Sequence, residues 1–432
     1  MKLKSWIVWI FIVSLLFIGC SSSSSPKSKK EKVKKIRIEF WHANSGKHGK
    51  LIEKFVKEFN KLHPNIQVIP VYQGSYTSLY QKLLASIQAG NPPVITQLYE
   101  SWTSMLIKAN KLVCIQDYID KDPQFKKDVS DFIEIFRRNN SWGGKLYTLP
   151  FNKSCYVFFV NLDMLKQVGY ETAPKNWNEL LDAAKKLTVK KGKNIIRYGI
   201  GLRPTIETFS YFYYQNGGNY FDKDGNLKIY TKEAVEALQF LVDLVNKYKV
   251  AYVDPGYMSQ PFGSEKIAMY IGSSAGIPFV NRAVKGDNNK PKFNWMTFTL
   301  PEGKRKATLF QGTNIGILKT GRGPKVEKAA YEFIKFLTDK KHNLEWSIET
   351  GYVPIRYSVL KDPKIQEYLK KNPYYKAVIS QYDYGFYDPR MKKWSNIRPI
   401  VQAAVEKALH GTLSPDEALK EAQKKAEEEL KK

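Results

Sequence analysis

The sequence predicts an α/β protein of about two domains, and three observations carry that reading. Between Ile36 and Ile95 the apolar residues switch between a period of two and a helical period, giving strand, helix, strand, helix, strand. A second α/β stretch runs from Ser154 onward. The chain has 432 residues, 43% hydrophobic and 14% aromatic, enough for sizeable cores. At roughly 150 residues per domain that length corresponds to about two domains.

Each element follows from local pattern. Ile36, Ile38 and Phe40 alternate with charged residues, as a strand does. Leu51, Ile52, Phe55, Phe59 and Leu62 recur at helical spacing, and His63-Pro64-Asn65 stops that helix. Ile66 to Tyr72 is strand-like, Gly74-Ser75 turns, and Leu79, Leu83, Leu84 and Ile87 mark a second helix. Gly90-Asn91-Pro92-Pro93 breaks it before Val94-Ile95. Such alternation implies parallel strands joined by right-handed crossovers. Ligands of such sheets sit beyond the carboxyl ends of strands, where Trp41, His42, Tyr76 and Glu100 fall. Further on, Trp177 to Leu187 is an amphipathic helix, residues 198–201 a short strand, and Ala234, Leu238, Leu241, Leu244 and Val245 line another helix. Asn216-Gly217-Gly218 and Asp222-Lys223-Asp224-Gly225 are turn clusters; the second resembles the start of a calcium loop but lacks the terminal Glu, so it reads as a plain turn. Residues 315–318 are strand-like, 329–337 helical, and the chain ends in a Lys/Glu-rich helix with i,i+4 pairs. No internal repeat is visible.

Composition narrows the function classes. Disorder does not suit so aromatic a chain, and a single apolar run excludes a multi-pass membrane protein. The formal charge of +28 is spread along the chain, not gathered in one stripe, so it favours anionic surroundings in general and gives no nucleic-acid stripe. At the N-terminus Lys2 and Lys4 precede an apolar run from Trp6 to Ile18, followed by Gly19-Cys20. This looks like a bacterial lipoprotein signal, residues 1–19, with lipid on the Cys20 sulfur; an ordinary secretory signal or a tethering helix is the alternative. A Ser- and Lys-rich flexible tether then spans 20–35, placing the folded part outside the cytoplasm and on the cell membrane. Cys114 and Cys155 read as buried free thiols, though they could pair if the fold joined them. No His or Cys sits at metal-ligand spacing. The stretch Ser45-Gly46-Lys47-His48-Gly49-Lys50 lies where a phosphate loop would, but Asn44 replaces its first Gly and Leu51 follows the Lys. There is no Gly-x-Ser-x-Gly elbow and no His-Glu-x-x-His helix, so no enzyme is expected; a pair of carboxylates as in glycosidases has no support.

A resemblance then becomes specific. Phe40-Trp41-His42, Phe59-Asn60, Val71-Tyr72-Gln73-Gly74-Ser75-Tyr76, Tyr99-Glu100, Pro150-Phe151-Asn152-Lys153-Ser154, Asn161, Trp177, Gly272-Ser273-Ser274 and Thr350-Gly351-Tyr352-Val353-Pro354 occur in that order. Together they resemble the family 1 extracellular solute-binding proteins of ABC importers, in the glycerol-phosphate branch. The resemblance implies a two-lobed periplasmic-binding-protein-like clamp with a hinge and an interlobe cleft. Lobe 1 would comprise 36–148 plus 307–349 and lobe 2 would comprise 149–306 plus 350–432. It also implies ligand contacts at Tyr76, Glu100, Ser154, Ser273, Gly312, Tyr352 and Arg398, with Trp177 as an aromatic wall. Arg398 would be the phosphate cation; the Gly-Leu-Arg-Leu-Gly-Asn of the branch stands here as Asp388-Pro389-Arg390-Met391-Lys392-Lys393-Trp394-Ser395-Asn396, so with a shifted register Arg390 takes that role. The expected function is a monomeric, lipid-anchored receptor, without cofactor or metal, that hands sn-glycerol-3-phosphate or a glycerophosphodiester to an ABC permease. A sugar or oligosaccharide is the alternative ligand.

Overall fold

The computed structural model describes residues 35–286 and 289–432. The signal segment, Cys20 and the tether up to residue 34 lie outside the described residues.

Strand β1 (Ile36–His42) lies between two parallel neighbours, β2 (Ile66–Tyr72) and β3 (Ile95–Leu98). Ile36 stands opposite Ile66, and Phe40 opposite Ile95. The connecting helices are α1 (Gly46–Leu62) and α2 (Tyr76–Gln88). Ile38 and Phe40 point inward and meet Ile52, Phe55 and Phe59 of α1 in one apolar core. Ser75 caps α2 by accepting from the Ser78 amide, so Gly74-Ser75 both turns the chain and starts the helix. After β3 the chain passes directly into α3 (Glu100–Lys108).

Beyond β3 the sheet turns antiparallel. Thr308–Ile317 pairs with β3 on one edge and with the strand Thr148–Asn161 on the other. That second strand is 14 residues long and buried throughout. Its first half pairs with Thr308–Ile317; its second half pairs with Ile267–Ser273 and Trp295–Phe298. Two strands therefore carry the sheet from the first α/β lobe into the second. At their closest approach Gly312 adopts φ +107°, and a Cβ there would lie 1.9 Å from the Asn152 carbonyl oxygen, so only glycine fits.

The second lobe has its own core. Leu180, Ala184 and Leu187 of the helix Trp177–Leu187 join Leu238 and Leu241 of Lys232–Val242 in it. Val401 and Val405 of Trp394–Leu409 and Leu419 of Pro415–Lys431 join the same core. The last helix opens on a reciprocal capping box between Ser414 and Glu417. Several elements are longer than their apolar pattern suggests: the strand at 198–201 spans Asn194–Leu202, that at 315–318 spans Thr308–Ile317, and the helix at 329–337 begins at Pro324. The helix expected to reach Val245 ends at Val242 and continues as the π-turn Asp243–Lys247.

Asp222 closes its turn on itself, accepting from the amides of Asp224 at 3.0 Å and Asn226 at 2.8 Å. Cys155 is buried and Cys114 partly buried, both as free thiols. Among the described residues no helix is long and apolar enough to cross a membrane.

Candidate functional site

A cavity of about 400 Å3 opens beyond the carboxyl end of β3, where ligands of such sheets collect. Its walls come from both lobes: Tyr76, Thr77 and Tyr80 of α2, residues 99–102 at the start of α3, and Leu309, Phe310 and Gln311 of a crossing strand on one side. Glu207, Asp388, Pro389, Trp394, Ser395 and Arg398 complete it. The size falls within the roughly 300–1,000 Å3 usual for small-molecule sites. A larger hollow of about 610 Å3 near Asp122, Lys335 and Arg356 is less suited, because its charges are spent on one another: Lys335 meets Asp122 at 2.6 Å and Arg356 meets Asp131 at 3.2 Å.

One wall is aromatic. Tyr80 stacks on Trp102 with ring centres 4.6 Å apart, Tyr99 meets Trp102 edge-on at 5.0 Å, and Tyr76 meets Tyr99 edge-on at 5.3 Å. The arrangement follows from chain geometry. Residues 76 and 80 share a helix face at i,i+4, while Tyr99 and Trp102 flank the strand-to-helix junction. Tyr76 is also tied into the crossing strands, its hydroxyl accepting from Asn152 Nδ2 at 2.6 Å.

Glu100 is the buried acceptor at the cavity floor. One carboxylate oxygen, Oε1, accepts from Asn139, from Asn314 Nδ2 at 3.3 Å and from Lys153 Nζ at 3.3 Å. Lys153 is fully buried and donates a second bond to the Gly312 carbonyl at 3.1 Å. Burial pulls its ammonium below the ordinary lysine range, and the Glu100 carboxylate opposes that pull. Glu100 is thereby fixed through Oε1 to a crossing strand.

Arg398 is the cavity's guanidinium, and it is not free. Its two terminal nitrogens donate to Glu207 and to Asp388. Burial would raise the Glu207 carboxyl, but Arg398 beside it holds it below the usual range. Arg390 is elsewhere: its guanidinium donates to the Arg138 carbonyl at 2.9 Å and lies over the Trp142 ring at 5.3 Å. Of the two arginines raised by the sequence, Arg398 faces the cavity.

The other expected contacts are distributed. Tyr76, Glu100 and Arg398 line the cavity. Tyr352 does not line it and is stacked on Trp346 at 6.0 Å. Ser273 donates to Ser154 at 3.2 Å between adjacent strands, and neither lines the cavity. Gly312 serves the strand crossing. Trp177 is not brought to the cavity: its indole NH donates to Gln215 at 2.9 Å and its ring stacks on Phe240 at 4.9 Å, inside the second lobe. Helix packing there takes the ring that a ligand was expected to use. Conversely, sequence reasoning missed Glu207, Asp388, Tyr80, Trp102 and Trp394. Only Asp388 and Trp394 carried a signal, as members of the stretch that departs from the glycerol-phosphate pattern.

The fold and cleft define a class, a two-lobed solute receptor. The family model for bacterial extracellular solute-binding proteins matches residues 54–373, and the chain belongs to that family. Such proteins bind small-molecule solutes for ABC permeases, and are transport proteins, not enzymes. The chain is similar to the sn-glycerol-3-phosphate-binding periplasmic protein UgpB of Salmonella typhimurium, 26% identical over 406 residues, covering 88% of this chain and 90% of that one. The Escherichia coli protein of the same name is also 26% identical over 406 residues. Among solved structures, UgpB from Mycobacterium tuberculosis in complex with glycerophosphocholine has a TM-score of 0.78 at 20% identity, covering 91% of this chain and 98% of that one. An ABC substrate-binding protein from Listeria monocytogenes in complex with cycloalternan has a TM-score of 0.77 at 25% identity, covering 91% and 98%. Maltose-bound MalE3 of T. maritima has 0.75 at 25%, covering 90% and 98%.

Proposed function

We propose that this protein is the lipid-anchored receptor of an ABC importer and that its ligand is a sugar or short oligosaccharide. The observation that carries the ligand class is the charge of the cavity. Glu100, Glu207 and Asp388 stand against Arg398 and the buried Lys153, three carboxylates to two cations, and Arg398 is already paired twice. A phosphate monoester needs an unpartnered cation with good donor geometry. A sugar instead uses aromatic walls and carboxylate acceptors, and Tyr76, Tyr80, Trp102, Glu100 and Asp388 line the cavity. The sugar-bound relatives at 25% identity support this reading.

Sn-glycerol-3-phosphate or a glycerophosphodiester is the second reading. Its support is the meeting of Tyr76, Glu100 and Arg398 in one cavity, together with the UgpB relatives. A thermal-shift screen with oligosaccharides, monosaccharides, glycerol-3-phosphate, glycerophosphocholine and phosphate separates the two. A ligand at about a hundred times its Kd adds about 2.7 kcal/mol of stability. The sugar reading expects the largest shift from a carbohydrate; a shift confined to phosphate esters overturns it. The anchor is inferred from the apolar run ending at Cys20. Mature protein should partition into detergent, and Cys20→Ser should release it; intact Met1 on the native protein would contradict the anchor.

A further inference from the structure

We infer that Glu207 and Asp388 are the specificity-determining residues of the cleft: by holding Arg398 between them they turn away phosphate monoesters and leave the cavity to uncharged ligands. The inference rests on the sugar reading of the same cavity and deepens it. Its basis is that both carboxylates are placed by structure that owes nothing to a ligand.

Glu207 sits in the first turn of Ile206–Gln215, a helix opened by Thr205 as cap. A carboxylate is favoured there by the positive end of the helix. Asp388 belongs to a strap tied at both ends. On one side Gly385-Phe386 pairs with Thr308 and Leu309 of a crossing strand. On the other, Arg390 donates to the carbonyls of Arg138 and Ser141, and its own carbonyl accepts from Ser104 Oγ at 2.6 Å. Pro389 further restricts the backbone of residue 388. Asp388 gives one oxygen to Arg398, and its other oxygen, Oδ1, has no protein partner.

The clamp is therefore preorganised, and Arg398 acts as the fixed link between two acceptors. A doubly charged phosphate approaching Arg398 would meet two carboxylates already in contact with it. Like charges at that distance oppose binding, whereas a hydroxyl can share the same acceptors.

The test is titration calorimetry with glycerol-3-phosphate on the full chain. The variants are Glu207→Gln, Asp388→Asn, the double variant, and the double variant carrying Arg398→Met. Gln and Asn keep an acceptor for the guanidinium while removing the charge. The double variant is expected to bind glycerol-3-phosphate at least about tenfold tighter than wild type, and Arg398→Met to erase the gain. Should the double variant fail to fold, Asp388→Asn alone, which leaves the helix start intact, is expected to gain about threefold. Wild type binding glycerol-3-phosphate as tightly as the charge-free variants, or a folded variant that gains nothing, overturns the clamp. The sugar screen on wild type decides the ligand class separately: gain in the double variant without any sugar binding in wild type would leave the clamp standing and remove the sugar reading.

Discussion

Lys153 carries more of the site than its position suggests. It has no exposure, yet it joins Glu100 of the first lobe to the Gly312 carbonyl on a crossing strand. Replacing a buried pair by apolar groups can be neutral, but removing one partner strands the other charge. Lys153→Met is therefore expected to lower unfolding free energy by about 3 to 5 kcal/mol in urea titrations and to weaken ligand binding by loosening Glu100. An unchanged urea midpoint would show that Glu100 does not depend on it. Gly312→Ala should fail more severely, since its Cβ would meet the Asn152 carbonyl at a distance no side-chain rotation relieves. At this scale the sequence was partly legible. Tyr76 and Glu100 could be picked out because they sit in stretches that resemble the glycerol-phosphate branch, and Arg398 was one of two candidate arginines where that pattern breaks down. Glu207 could not, because its partner Arg398 lies 191 residues away and only the tertiary approach of two helices joins them.

Elements set the pH response. His42 ends β1, buried between Phe40 and Tyr72 with Nδ1 lacking a partner. Burial lowers its pKa from 6.5 to about 4. Because the folded value lies below the unfolded one, the unfolded chain takes up the proton first. The stabilising effect is whole above about pH 6.5 and is lost as the pH falls toward 4, an effect of about 3 kcal/mol. Urea midpoints at pH 7, 5.5 and 4 should fall along that course. In His42→Asn the slope between 6.5 and 4 should become shallower, leaving the part that His48 contributes, since burial lowers its pKa as well; an unaltered slope would place its origin elsewhere. Elements were also where legibility varied most. Strands β1 and β2 and helix α1 announce themselves through alternation and helical spacing because one face of each is exposed. Thr148–Asn161 is buried on both faces, so its run of apolar residues has no period to read.

Across the whole molecule, two α/β lobes joined by two long strands make a hinge-type clamp, and the cavity walls come from both sides of it. Ligand should therefore draw the lobes together. Small-angle scattering is expected to give a smaller radius of gyration with a verified ligand than without, at unchanged secondary structure; equal radii would count against closure. An α/β protein of about two domains was legible as strand and helix alternation plus length, and the two-lobed clamp was implied by the family resemblance, whereas the pairing of the two long strands that tie the lobes was not legible. The ligand's charge class was legible least, since it depends on how Glu207, Asp388 and Arg398 meet and on Trp177 being turned into helix packing.

The central claim is that the cavity between Trp102 and Arg398 takes an uncharged, polyhydroxylated ligand. It is tested most directly by calorimetric titration of wild type and Trp102→Ala, in one buffer, with the tightest sugar from the screen and with glycerol-3-phosphate. The account predicts saturable binding of the sugar at least about tenfold tighter than glycerol-3-phosphate, and a loss of about 1 to 2 kcal/mol for the sugar in Trp102→Ala. Glycerol-3-phosphate binding tighter than every sugar, and indifferent to Trp102, would contradict it.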